Sequence, residues 1–294
     1  MVKTFAGLSV GIIAISFASI FIKFCNDVPS LMIATYRLCL SSIILLIIAQ
    51  GRGIRFSGLK KRQIFIGMLG GLFLALHFSV WISSLKYTSV ASSVVLVTTN
   101  PIFVGLFSYL FLREKQSIEL IIGIILSFSG SIVLATGDSG LQGFSIQNSS
   151  FLLGDSLALI GAIMASGYLM VGSKLREQMD VLSYTTIVYS FSALFLLIAS
   201  MLMSINFTGY KTGSYIYMIL LAIIPQLIGH TAINWALKHL KTSMVAVTIL
   251  GEPIGASILA YLVFQESIKS LQFMGIALIF LAIIISSRKG TKNS

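Results

Sequence analysis

The chain has 294 residues, of which 56% are hydrophobic and 10% charged, with a formal net charge of +11. Water-soluble domains carry roughly 25% charged residues, so this composition excludes an ordinary soluble globular fold. A spanning helix takes about 20 apolar residues, so ten of them would use about 200 and leave no room for a separate soluble domain.

Apolar runs predict ten transmembrane helices, at 5–24, 30–49, 64–84, 89–111, 119–136, 152–172, 182–204, 215–236, 243–264 and 271–287. They are separated by Asp27-Val28-Pro29, the basic stretch Gly51 to Arg62, Arg113-Glu114-Lys115, the polar segment Gly137–Ser150 and similar breaks further on. Fifteen Lys and Arg fall on the side of both termini, and four (Lys23, Lys86, Lys211 and Lys269) on the other. Cytoplasmic loops collect basic residues, so both termini are expected in the cytoplasm of a multi-pass protein of the cell membrane. The charge excess is then topogenic and no nucleic-acid partner is expected; Gly53, Gly58, Leu59 and Lys60 lack the Gly-Lys pair of a phosphate-binding loop. Cys25 and Cys39 show no metal-ligand spacing and read as small buried hydrophobes. No metal or other cofactor is expected.

An internal repeat organises the chain. A shift of 152 positions lays Leu85-Lys86 on Leu237-Lys238, Pro101-Ile102 on Pro253-Ile254, Tyr109-Leu110 on Tyr261-Leu262 and Glu114 on Glu266, without a gap. The opening helices match more weakly: Gly7, Ala18 and Ser19 fall on Gly154, Ala165 and Ser166 at a shift of 147. That match marks 5–24 as a mature helix rather than a cleaved leader. The chain is read as a first five-helix repeat over 1–137, an external connecting loop over 138–151 and a second five-helix repeat over 152–294. Five is odd, so the second copy enters the membrane upside down. The expected fold class is an all-α membrane protein, ten transmembrane helices as two inverted five-helix repeats. Inverted repeats are a common plan of secondary transporters, with the substrate near the bilayer midplane between them.

The run Leu85-Lys86-Tyr87-Thr88-Ser89-Val90-Ala91, with Asn100-Pro101-Ile102-Phe103, Glu114 and Gly123, resembles the signature of EamA-type proteins of the drug/metabolite transporter superfamily. Glu252-Pro253 and Glu266 repeat it in the second half, and the resemblance covers nearly the whole chain. It implies a ten-helix basket open alternately to either side, exporting amino acids or other small polar metabolites. The second copy departs from the pattern at His239, in the place of Tyr87, and at Lys241-Thr242, in the place of Ser89-Val90.

Ionisable groups inside a span cost about 2.5–3.5 kcal/mol on insertion scales and mark functional sites by default. Glu252 lies deep in the ninth span, just before Pro253; its carboxylate suits a substrate amine or proton coupling, and a structural acid is the alternative. Asn100, its counterpart, offers an amide without charge. Arg37, in the second span, has three readings: it takes a substrate carboxylate, it pairs with Glu252, or it snorkels outward. His77, Trp81 and Ser84 share one helical face, as do Gln226, His230 and Asn234 beside Pro225. Polar stripes on apolar helices should face the interior or a watery cavity, and Tyr168 and Tyr36 would add aromatic walls. Pro101, Pro225 and Pro253 are the expected hinge or kink points. The expected substrate-binding set is thus Arg37, His77, Trp81, Asn100, Tyr168, Gln226, His230, Asn234 and Glu252, with no catalytic residue. Asn148-Ser149-Ser150 and Asn206-Phe207-Thr208 match the glycosylation sequon on expected external loops.

The function expected is a carrier moving a small polar metabolite outward by alternating access. Its partners are that small-molecule substrate, the lipid bilayer and, through Glu252, protons; monomer and homodimer both stay open. A passive channel or receptor-like protein is a second class. An intramembrane enzyme is a third, for which the sequence lacks a motif such as H-E-x-x-H.

Overall fold

The computed structural model describes residues 2–54, 56–88, 90–113, 116–139, 149–264 and 270–287. Glu114, Glu266, Asn148 and residues 140–148 of the connecting loop lie outside them. Seven helical spans are long and apolar enough to cross a membrane: Lys3–Phe24, Ser30–Gly51, Lys61–Ser84, Leu152–Arg176, Val181–Leu202, Thr212–Ala236 and Thr242–Val263. Three shorter apolar helices, Asn100–Phe111, Ile118–Gly130 and Phe273–Ile285, stand where the remaining crossings were expected. The protein is a multi-pass, all-helical membrane protein.

Four spans are not single α-helices. The first is α1 (Val2–Ser16) and α2 (Ala18–Phe24), interrupted at Phe17; then come α3 (Ser30–Gly51) and α4 (Lys61–Ser84). The fourth is split into α5 (Val90–Val97) and α6 (Asn100–Leu112), followed by α7 (Ile118–Ser139). The second half runs α8 (Ser149–Arg176), α9 (Val181–Leu202), then α10 (Thr212–Leu221), a π-helical segment Ala222–His230 and α11 (Thr231–Ala236) within one span. It ends with the split pair α12 (Thr242–Ile249) and α13 (Glu252–Phe264), and with α14 (Ser270–Ser287). The π segment has a visible cause: Pro225 lies inside it, and a proline there removes an N–H and clashes with the carbonyl of the preceding turn. Widening the turn relieves both conflicts.

The halves interlock rather than stand side by side. α4 packs along α8, and α1 along the π segment and α11; α3 packs on α9, and α7 on α14. Exchanging the halves turns the first pairing into the second and returns the last two to themselves. That is the contact pattern of two copies related by a twofold rotation. Glycine permits the close approaches, as small residues do between helices in lipid. A Cβ on Gly71 would stand 2.9 Å from the Val188 carbonyl oxygen of α9, and one on Gly130 would stand 2.9 Å from that of Gly275 in α14.

Candidate functional site

The two split spans build the centre. α6 begins at Asn100 and α13 at Glu252, so Pro101 and Pro253 each fall in a first helical turn, where a missing N–H leaves no partner unsatisfied. A bend at each proline was the expectation from sequence. The helix instead stops and restarts, through Thr98-Thr99 in one copy and Leu250-Gly251 in the other.

Each restart is fastened by the opening helix of the opposite half. The Ser166 hydroxyl is shared between the Asn100 carbonyl at 3.1 Å and the Ala162 carbonyl at 2.7 Å. The Ser16 hydroxyl is shared in the same way between the Glu252 carbonyl at 3.3 Å and the Ile12 carbonyl at 2.8 Å. Gly255 makes room for that contact, since a Cβ there would lie 2.1 Å from Ser16 Oγ. These contacts pair Ser16 with Ser166, an offset of 150 positions. The weaker alignment at 147 is therefore three residues out of register with the packing. Ser and Gly recur too often in the opening helices for identity alone to fix the phase.

Between the two restarts lies a small cavity of about 50 Å³. Of the predicted substrate-binding residues, Arg37, His77, Trp81, Asn100, Tyr168, His230 and Glu252 all line it. Arg37 does not snorkel. It is 1% exposed, its Nε donates to Gln226 Oε1 at 2.7 Å, and its guanidinium carbon sits 3.9 Å from the centre of the Phe78 ring. Both terminal guanidinium nitrogens lack a hydrogen-bond partner. Leaving a buried donor unmade costs roughly 1–3 kcal/mol, more for a charged group. Trp81 Nε1, Asn100 Oδ1 and His230 Nδ1 are also buried without partners.

His77 is held by the backbone of α8. Its Nδ1 lies 2.9 Å from the Gly161 carbonyl, which can only accept, so Nδ1 carries the proton and Nε2 keeps a lone pair. The ring is parallel to Trp81, with centroids 5.9 Å apart and planes inclined by 4°. His230 meets Phe78 edge-on at 5.3 Å.

Gln226 and Asn234 are placed behind the wall rather than on it, each fully buried. Gln226 steers Arg37, while Asn234 Nδ2 donates to the Tyr168 hydroxyl and to the Tyr189 hydroxyl at 3.4 Å. The expected stripe treated residues four apart as presenting one face to the cavity; Gln226 is instead turned onto Arg37, and only His230 of the three reaches the wall. Tyr36 lies off the cavity wall, its hydroxyl donating to the Phe207 carbonyl at 2.8 Å. Phe78 and Tyr189 escaped the sequence reading, because an aromatic residue in an apolar helix carries no signal of its own. Among the described residues no group of three or more His, Cys, Asp or Glu is placed to hold a metal ion.

Residues 4–136 and 152–288 each match the EamA-like transporter family. An uncharacterized transporter of Clostridium kluyveri is 26% identical over 229 residues, covering 78% of this chain and 73% of its own. Solute carrier family 35 member G1 of Homo sapiens is 25% identical over 175 residues, 56% of this chain and 46% of its own. A crystal structure at 16% identity superposes with a TM-score of 0.79 over 96% of this chain and 98% of the other, a likeness of fold. With the match spanning both copies, the chain belongs to the EamA-like transporter family and is a membrane transporter.

Proposed function

We propose that this transporter is a secondary carrier for small zwitterionic metabolites of the amino-acid class, exported across the cell membrane by alternating access, with both termini cytoplasmic. One observation carries the reading: Arg37 offers two unpartnered guanidinium nitrogens into a cavity that also holds the Glu252 carboxyl. A substrate carboxylate pairs with the guanidinium through two parallel charge-assisted bonds, and its ammonium meets Glu252. Trp81, Tyr168 and the two imidazoles flank the remainder. The repeats, taken as 1–137 and 152–294, rock about the α1 and α4 seams to open the cavity to either side.

Glu252 also supplies a route for coupling. Proton and substrate amine compete for one carboxylate, so an acidic exterior discharges the amine outward and a cytoplasmic substrate displaces the proton inward. The test is counterflow of radiolabelled alanine, glutamine and glutamate in proteoliposomes, with and without a pH gradient. Failure to move any of the three would end the amino-acid reading. Single-channel conductance in a planar bilayer would point to a passive pore.

A further inference from the structure

A groove of about 300 Å³ lies apart from the central cavity, walled by Leu46, Phe56, Leu59 and Ile64 of the first half and by Thr186 and Leu194 of the second, among others. Leu46, Ile64 and Leu194 are exposed, so the groove opens outward from the bundle. Leu46, Ile64 and Thr186 lie within five residues of Gly51, Lys61 and Val181, the helix ends on the side of both termini. From Thr186 to Leu194 is roughly 12 Å along α9 at 1.5 Å per residue. One leaflet of the hydrocarbon core is about 15 Å deep. The groove therefore runs at acyl-chain depth through the leaflet on that side.

The turn at its mouth is tightly fixed. Gly53 takes a φ of +67° and closes α3. Its N–H donates to the Gln50 carbonyl, and that of Ile54 to the Ala49 carbonyl, both at 2.9 Å, the paired bonds of a helix-ending glycine. A 3₁₀ turn at Phe56–Gly58 follows, and the Lys60 N–H donates to Gln63 Oε1 at 3.0 Å to open α4. That path puts Phe56 and Leu59 in the groove wall and leaves Lys60 and Lys61 exposed. The two lysines precede Ile64 by four and three residues, the spacings that share a helical face, so they stand over the mouth. Among the described residues no carboxylate is ion-paired with either. The acids of this side are Glu114, Glu119, Glu177 and Asp180, against fifteen Lys and Arg, so positive charge is in excess whichever of them pair. Asp180 is taken up by α9, accepting from the Ser183 N–H at 3.0 Å and from its hydroxyl.

We propose that this groove holds one acyl chain of an anionic phospholipid, whose phosphate is met by Lys60 and Lys61. Lipid tails are as apolar as the groove, so the groove fixes where the chain lies and the lysines choose the headgroup. α3 and α4 supply one wall and α9 the other, so the lipid bridges the two halves, and it does so whatever solute the carrier moves.

The test places a tryptophan in the groove by Phe191→Trp, in a background carrying Trp81→Phe and Trp235→Phe, which makes it the sole tryptophan. Its quenching by dibrominated lipids is measured in proteoliposomes. In pure brominated phosphatidylcholine the tryptophan of every variant should be strongly quenched, because a chain enters the groove; one that stays bright overturns occupancy by lipid. Brominated phosphatidylglycerol diluted into phosphatidylcholine should quench as though enriched about fivefold for each lysine that meets its phosphate. Lys60→Gln with Lys61→Gln should bring the enrichment to about one, and high salt should lower it. Lys238→Gln with Lys241→Gln removes equal charge on the same side beside α12, which packs on α6, α7 and α14, and should leave the enrichment unchanged. No enrichment in the protein with its lysines intact, or enrichment that survives the loss of Lys60 and Lys61, overturns the site. So does an equal fall in both double variants, which would assign the preference to overall charge.

Discussion

Asn100 and Glu252 occupy equivalent places with unequal chemistry. Each opens a helix after a break, each precedes a proline, and each gives its carbonyl to a serine of the other half's first helix. One carries a neutral amide and the other a carboxyl. Gene duplication has thus supplied the backbone plan twice and the acid once. The third and eighth spans diverge in the same sense: α4 is a continuous helix, while its counterpart is relaxed into a π segment. Gln226, which steers Arg37, stands in the place of Leu74. In both cases the second copy carries the polar specialisation on a frame that the first copy repeats.

The sharpest way to break this comparison is to remove the charge difference. Glu252→Gln makes both restarts neutral amides, and the response of transport to a pH gradient should vanish; a variant that responds as the unaltered protein does would end the coupling role of Glu252. Arg37→Ala comes next. Losing bonds to a charged group worth about 3 kcal/mol should raise the half-saturation concentration for a zwitterion roughly 100-fold, measured by counterflow, with Arg37→Lys falling between. Asn100→Leu tests the neutral side and should cost about tenfold, as for one uncharged hydrogen bond of about 1.4 kcal/mol. An effect equal to that of Glu252→Gln would mean the two restarts are functionally alike.

Two smaller effects concern packing. Gly255→Ala drives a methyl into Ser16 and should cost about 1–3 kcal/mol by overpacking, seen as a lower thermal unfolding midpoint in detergent. Ser16→Ala and Ser166→Ala should each cost about 0.6 kcal/mol, typical of a helix–helix hydrogen bond in lipid. A several-fold difference between those two would show that the two fastenings are not equivalent.

Much of this was written in the sequence at the level of pattern. Apolar runs placed the spans, the shift of 152 paired Asn100-Pro101 with Glu252-Pro253, and the isolated polar residues Arg37, His77, His230 and Glu252 pointed to one space because lipid tolerates none of them. What stayed hidden depended on local backbone geometry. Proline marks a disturbance but not whether the helix bends, stops or widens, and Pro225 widens while Pro101 and Pro253 begin anew. The break at Phe17 has no glycine or proline beside it to announce it. Gln226 and Asn234 read as ligands because position on a helical wheel cannot separate a wall residue from one standing behind it.

The crossed serine fastenings have a consequence for biogenesis. Ser166 lies 66 residues after Asn100, so at 5–20 residues per second the first restart waits roughly 3–13 s for its clasp while the ribosome works through the second half. Glu252 meets a Ser16 that was made 236 residues earlier. The N-terminal half therefore sits in the bilayer unfinished, and the interval before α8 arrives is the stage at which insertion machinery or quality-control proteases would find it most vulnerable.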